Sequence, residues 1–149
     1  MTHDINKQVI RKLYEDCINS GRLELLSELV SDDYVGLRGD RGPAGFATTV
    51  TGLRAGFPDI RFTIDDLVAE GDRVIIRWNW RATHTGTFTT PLGAFPATGK
   101  QVSTTGIAIY QLADHKVIRN WLETDRLGAL QQLGAVPARF AAPAATPKS

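Results

Sequence analysis

The chain has little of what metal and redox sites are made from. Among its 149 residues there are one cysteine and three histidines. A single cysteine closes no internal disulfide, which excludes a secreted disulfide scaffold and points to a reducing compartment. No Cys-x-x-Cys, His-x-His or His-Glu-x-x-His spacing occurs, so neither a metal nor another cofactor is expected. There is no Gly-x-Ser-x-Gly, no phosphate loop and no dinucleotide fingerprint. No window reaches the ~20 apolar residues of a membrane span. The polar start, Met-Thr-His-Asp-Ile-Asn-Lys, lacks the apolar centre of a signal peptide. The expected location is the cytoplasm, with no membrane partner. An excess of one charge is missing too: 17 basic side chains face 16 acidic ones, for a net charge of +1. That balance argues against a nucleic-acid partner.

What is present is an ordinary globular composition, 42% hydrophobic and 22% charged. The length suits one domain. We expect it over residues 1–136, followed by a disordered Pro/Ala-rich tail over 137–149.

Ile5, Val9, Leu13 and Cys17 recur every four residues, which predicts a helix over 4–18 with Asp4 as cap and Gly21 as stop. Cys17 on that stripe reads as a small buried hydrophobe. Leu25, Leu26 and Leu29 predict a short second helix over 23–29, and Asp32 to Val35 a short strand. Residues 38–45 carry turn chemistry. Pro43 suits the first turn of a third helix reaching Ala55. From Ile60 the period becomes two. Val74, Ile76, Trp78, Trp80 and Ala82 alternate with Ile75, Arg77, Asn79 and Arg81, the pattern of a half-buried strand. A loop over 87–99, strands over 100–112 and 116–124, and a helix over 126–133 complete the chain. This order predicts an α+β fold: a curved antiparallel sheet wrapped as a cone over three N-terminal helices, with a short C-terminal helix. Such a cone turns its apolar sheet face toward a small-molecule pocket.

Three groups of residues resemble one family: Ala55-Gly56-Phe57-Pro58-Asp59 with Ala69-Glu70-Gly71-Asp72-Arg73-Val74; Thr83-His84-Thr85-Gly86 with Pro96-Ala97-Thr98-Gly99-Lys100; and Lys116-Val117-Ile118 with Trp121, Asp125 and Gln132-Leu133-Gly134. Together they resemble the SnoaL-like polyketide cyclase, or ester cyclase, family of the NTF2-like superfamily over about residues 5–134. The resemblance implies the α+β cone, a homodimer or higher oligomer, and cofactor-free closure of an aromatic polyketide ring by aldol condensation. It also implies that the family's acid/base Asp falls on Leu122 and its partner His on Ala108. The polar group that often follows the early Tyr-Val falls at Gly36, after Tyr34-Val35.

Ring closure needs a group that removes a proton beside a carbonyl and later returns one. A carboxyl or imidazole in an apolar pocket serves. His84 keeps the inward parity of Trp78 and Trp80 and is the first catalytic candidate; its structural reading is a histidine bonded to backbone at the mouth of the cone. Asp125 is the second, and it also stands where a helix N-cap belongs. Tyr34, Phe57, Trp78, Trp80, Tyr110, Trp121 and Leu122 are the candidate substrate-binding residues, for an apolar or aromatic small molecule; ordinary core is their alternative. Arg77, Asn79 and Arg81 face the other side, toward solvent or a dimer partner. Three readings follow: a cyclase- or isomerase-type enzyme, a non-catalytic binding module on the same fold, and a scaffold with a filled cavity.

Overall fold

A computed structural model describes residues 2–141; the expected tail lies outside the described residues from position 142 on. Helix α1 spans Thr2–Lys12 and runs into a π-helical turn over Leu13–Ile18. That wider turn shifts the buried face. Asn6, Ile10, Leu13, Tyr14, Cys17 and Ile18 point inward, while Ile5, expected on the buried stripe, is exposed. Asn6 is satisfied by His115 Nδ1, 3.1 Å from its Oδ1. Burial pushes the Cys17 thiol up to about 11, as befits an inert core residue. A 3-10 turn over Leu23–Leu25 leads into α2, Leu26–Leu29, with Leu25, Leu26 and Leu29 inward as the pattern predicts. Residues 32–35 do not form a strand. An isolated bridge just before it joins Val30 to Val117 of the sheet, and a second joins Val35 to Arg41 across the following turn.

Helix α3, Gly42–Gly56, has Pro43 in its first turn. Thr48, a weak helix former, turns its hydroxyl back to the Ala44 carbonyl at 3.1 Å, so the helix continues through it. Strands β1 (Arg61–Glu70), β2 (Arg73–Thr83), β5 (Gln101–Ala113) and β6 (Lys116–Thr124) form one antiparallel sheet in the order β1-β2-β5-β6. The 87–99 segment, expected as loop, contains a small hairpin, β3 (Phe88–Thr90) with β4 (Gly93–Phe95). Helix α4, Arg126–Gln132, closes the fold.

The inner face of the sheet packs on the helices. Val74, Ile76, Trp78, Trp80 and Ala82 of β2 and Val102, Ala108, Tyr110 and Leu112 of β5 are all buried, against Ile10, Leu13, Tyr14, Leu26, Phe46 and Val50. Trp78 lies opposite Gly106. A Cβ on Gly106 would stand 2.5 Å from the Trp78 indole, so the ring lies flat across β5 only because that position has no side chain. On the outer face, Arg77 pairs with Asp66 at 2.6 Å and Asn79 donates to Asp65. Irregular pairing between Gln111 and Leu112 makes Ile118 an extra residue in β6. The inward positions therefore pass from Val117 to Asn120, Leu122 and Thr124.

Candidate functional site

The inside of the cone divides into two parts. The first is built by β2 and the end of α3. Trp78, Trp80, Phe57 and His84 point inward from it, and all four are buried by neighbouring protein atoms. Phe57 sits 5.1 Å from Trp80 and 5.2 Å from His84, and Phe62 lies edge-on to Trp78 at 4.8 Å. The aromatic wall expected around a ligand thus meets itself here. His84 is fully buried. Its Nδ1 accepts the Thr98 N–H at 3.2 Å and lies 3.0 Å from Thr98 Oγ1. An accepting Nδ1 places the proton of a neutral imidazole on Nε2, which is buried without a partner. The His84 main chain bonds to Thr98, Gly99 and Lys100, so this residue pins the 98–100 turn.

The second part is polar and half-open. Tyr14 and Tyr110 hydroxyls meet at 2.6 Å inside the core. The Tyr34 hydroxyl donates to Asn120 Oδ1 at 3.1 Å. Segment 31–35 is held beside β6 by Ser31 N–H to Val117 O and Val35 N–H to Ile118 O, which sets Tyr34 facing Asn120. Asn120, Leu122 and Thr124 are only partly buried and form one partly accessible stretch of the inner wall. All three phenols hold their protons strongly. Burial pushes Tyr14 up to about 12, with the Tyr110 hydroxyl and the Trp78 N–H acting against the rise. Burial, then the Tyr14 phenol, raises Tyr110 well above its ordinary value. Burial, then the charge of Asp40, then Tyr110, raises Tyr34.

Asp40 is the group that sequence reasoning passed over as a turn residue. It ends a tight turn in which Gly36 N–H bonds to Asp40 O at 2.7 Å and Gly39 N–H to Gly36 O at 3.1 Å. Its carboxylate folds over Gly36: a Cβ on Gly36 would overlap both carboxylate oxygens. Oδ2 is buried with no hydrogen-bond partner. The signal available in the sequence was Gly36 itself, where a polar side chain was expected and a glycine stood.

The remaining candidates are dispersed. Asp125 is exposed, and its Oδ1 accepts the Gly128 N–H at 2.8 Å as the N-cap of α4. The extra residue in β6 turns Trp121 to the outer face, 39% exposed, with the Arg73 guanidinium 5.0 Å from its ring centre. It does not line the cone. Leu122 points inward and pairs directly with Ala108, so the two positions where the family resemblance implied Asp and His form one apolar cross-strand pair. Among the described residues no three His, Cys, Asp or Glu side chains converge to hold a metal ion. Open depressions of about 370 and 330 Å³ flank α1 on the outside, and none of the candidate residues lines them.

A sheet curved over N-terminal helices and closed by a short C-terminal helix defines the NTF2-like α+β cone. Within that class the chain belongs to the SnoaL-like polyketide cyclase family, whose model matches residues 8–133. TsrD from Streptomyces laurentii has a similar structure, with a TM-score of 0.80 at 27% identity, over 89% of this chain and 97% of its own. A candidate polyketide cyclase from Acidithiobacillus ferrooxidans is 34% identical with a TM-score of 0.74, over 88% and 95% of the two chains. IdmH, a candidate polyketide cyclase from Streptomyces antibioticus, is 30% identical with a TM-score of 0.71, over 87% and 98%. No curated protein matches the chain.

Proposed function

We propose that this protein is a cofactor-independent enzyme of the cyclase or isomerase type, moving protons on a polyketide-like or other apolar cyclic ketone. The observation that supports it most is the set of protonated phenols and Asn120 beside an otherwise apolar, half-open wall at Leu122. Hydrogen-bond donors fixed in low-dielectric surroundings stabilise the negative charge that gathers on a carbonyl oxygen as its neighbouring carbon loses a proton. They need no reorganisation at that moment, because packing has already oriented them. In this reading His84 holds the 98–100 turn and Asp125 holds α4, each shaping the site from outside the reacting atoms. The test is deuterium uptake from heavy water at the α-carbon of α-tetralone. The wild-type protein accelerates uptake. Asn120→Leu slows it about a hundredfold, the usual cost of one donor to a developing oxyanion. A wild-type protein that binds the ketone and leaves uptake at the buffer rate sinks the catalytic reading. That outcome favours the second one, a binding module, which the apolar Ala108–Leu122 pair supports.

We also infer a homodimer through the outer sheet face. Val68, Ile75, Ile109 and Trp121 are cross-strand neighbours in one row, and Ile107 is half exposed beside them. A single copy leaves this apolar row in water. Trp121→Glu shifts the mass measured by light scattering to that of a monomer; a wild-type protein already monomeric at high concentration excludes the dimer.

A further inference from the structure

An amide on an accessible wall can face either way, and which way it faces decides what it binds. We propose that Tyr34 is a positioning residue that holds the Asn120 oxygen and leaves its Nδ2–H toward the ligand, so that this wall seats a ketone carbonyl and discriminates against the matching alcohol. The inference deepens the ketone reading above and rests on it for the ligand's place beside Leu122.

The orientation follows from the Tyr34 proton. Tyr34 is buried, and its hydroxyl donates to Asn120 Oδ1 at 3.1 Å, its one hydrogen bond among the described residues. Burial, then the charge of Asp40, keeps this phenol protonated, so it stays a donor. Turning the amide over would set Nδ2 against the hydroxyl and strand the phenol proton, at the cost of a buried donor left unmade. The ring is held in place by Phe46, edge-on at 5.5 Å.

The other end of the amide is free and reachable. Among the described residues, the enclosed side-chain nitrogens and oxygens without a partner are Asp40 Oδ2, Trp78 Nε1 and His84 Nε2. Asn120 Nδ2 makes no hydrogen bond either, yet it is not one of these, so it keeps open surface. Asn120 is partly buried as a whole, which shields a bond made there without closing it to a ligand. The next inward position on β6 is Leu122, paired with Ala108, and neither offers an acceptor. Thr124 stands four residues along, roughly 13 Å away. A carbonyl oxygen on Nδ2 therefore leaves nothing unsatisfied, with its apolar ring over Leu122. An alcohol oxygen can take the same N–H, but its own proton then faces an apolar pair.

The experiment measures, by quenching of tryptophan fluorescence, the affinities of α-tetralone, 1-tetralol and the parent hydrocarbon tetralin. Wild type holds the ketone at least about tenfold tighter than the alcohol, the usual worth of one stranded donor. Asn120→Asp keeps the shape and still accepts from Tyr34, but presents an oxygen where the N–H stood, so the preference reverses. Tyr34→Phe keeps the ring and releases the amide. Its preference falls to within about twofold while tetralin affinity is unchanged, which a merely structural loss would not produce. Equal affinity of wild type for ketone and alcohol overturns the proposal, as does an Asn120→Asp protein that still prefers the ketone. A Tyr34→Phe protein with the full preference overturns the positioning role. If Tyr34→Phe does not fold, the infrared carbonyl band of α-tetralone on the wild type decides: it shifts below its position in hexane, and an unshifted band overturns the seat. A wild type that prefers the ketone and leaves deuterium uptake at the buffer rate supports the seat and overturns the acid/base reading alone. A wild type that binds none of the three overturns the seat itself.

Discussion

The two parts of the cone are built from the same strands and do opposite things. Around β2 the inward side chains are large and aromatic, and they consume one another: Phe57 meets Trp80 and His84, and Phe62 meets Trp78. Along β6 the inward side chains beyond Val117 are Asn120, Leu122 and Thr124, smaller and only partly buried. Aromatic area on a strand is therefore a poor guide to where a ligand sits. It stabilises where it is dense, and a site forms where it stops. Polar groups follow the same division. His84 is enclosed in the dense part and bonded to its own turn, whereas the Tyr34 hydroxyl meets the partly buried Asn120 at the edge of the other part.

That contrast can be broken from either side. The largest effect is expected from Phe57→Ala. It removes the ring at the centre of the closed part and should cost about 3–5 kcal/mol in denaturant unfolding. A loss below about 1 kcal/mol would mean that the aromatic cluster yields easily and is not the stabilising half. Alkaline titration probes the polar part. Folded Tyr14 keeps its proton up to about 12, above the value near 10 of an unfolded chain. Its contribution to stability is then complete below about pH 10 and is lost as the pH rises through about 12. Phenolate absorbance should therefore appear together with unfolding; phenolate forming fully near pH 10 in a chain that stays folded would show the tyrosine pair to be solvated. The smallest effect belongs to Asp125→Ala. Losing the cap should cost about 1 kcal/mol. Ketone exchange should persist, and its abolition in a folded variant would return Asp125 to the reacting atoms.

Much of the fold was legible because burial follows period. Val74 to Ala82 alternate in the sequence and alternate in the sheet, and Leu25, Leu26 and Leu29 are inward as their spacing predicts. The misreadings occur where one residue is added. The π-helical turn at Leu13–Ile18 adds one to a helix, so a strict spacing of four counts Ile5 as buried and misses Asn6, Ile10 and Tyr14. The irregularity at Ile118 adds one to a strand and sends Trp121 outside. The candidate site was harder still to read. Asp40 stands in Arg-Gly-Asp-Arg-Gly-Pro, where every residue suits a turn, and local pattern says nothing of which neighbour a turn carries inward. The amide site depends on contacts between segments far apart in the chain: Tyr34 to Asn120, and Val35 to Ile118.

Trp78 and Gly106 carry a consequence for how this chain can change. The indole occupies the volume that any side chain at 106 would need. Gly106→Ala alone crowds the ring, and a small residue at 78 alone leaves a void. Each substitution becomes tolerable only in the presence of the other. The two positions, 28 apart in number and adjacent across β2 and β5, thus behave as one locus, and sequence drift at either is arrested until both move.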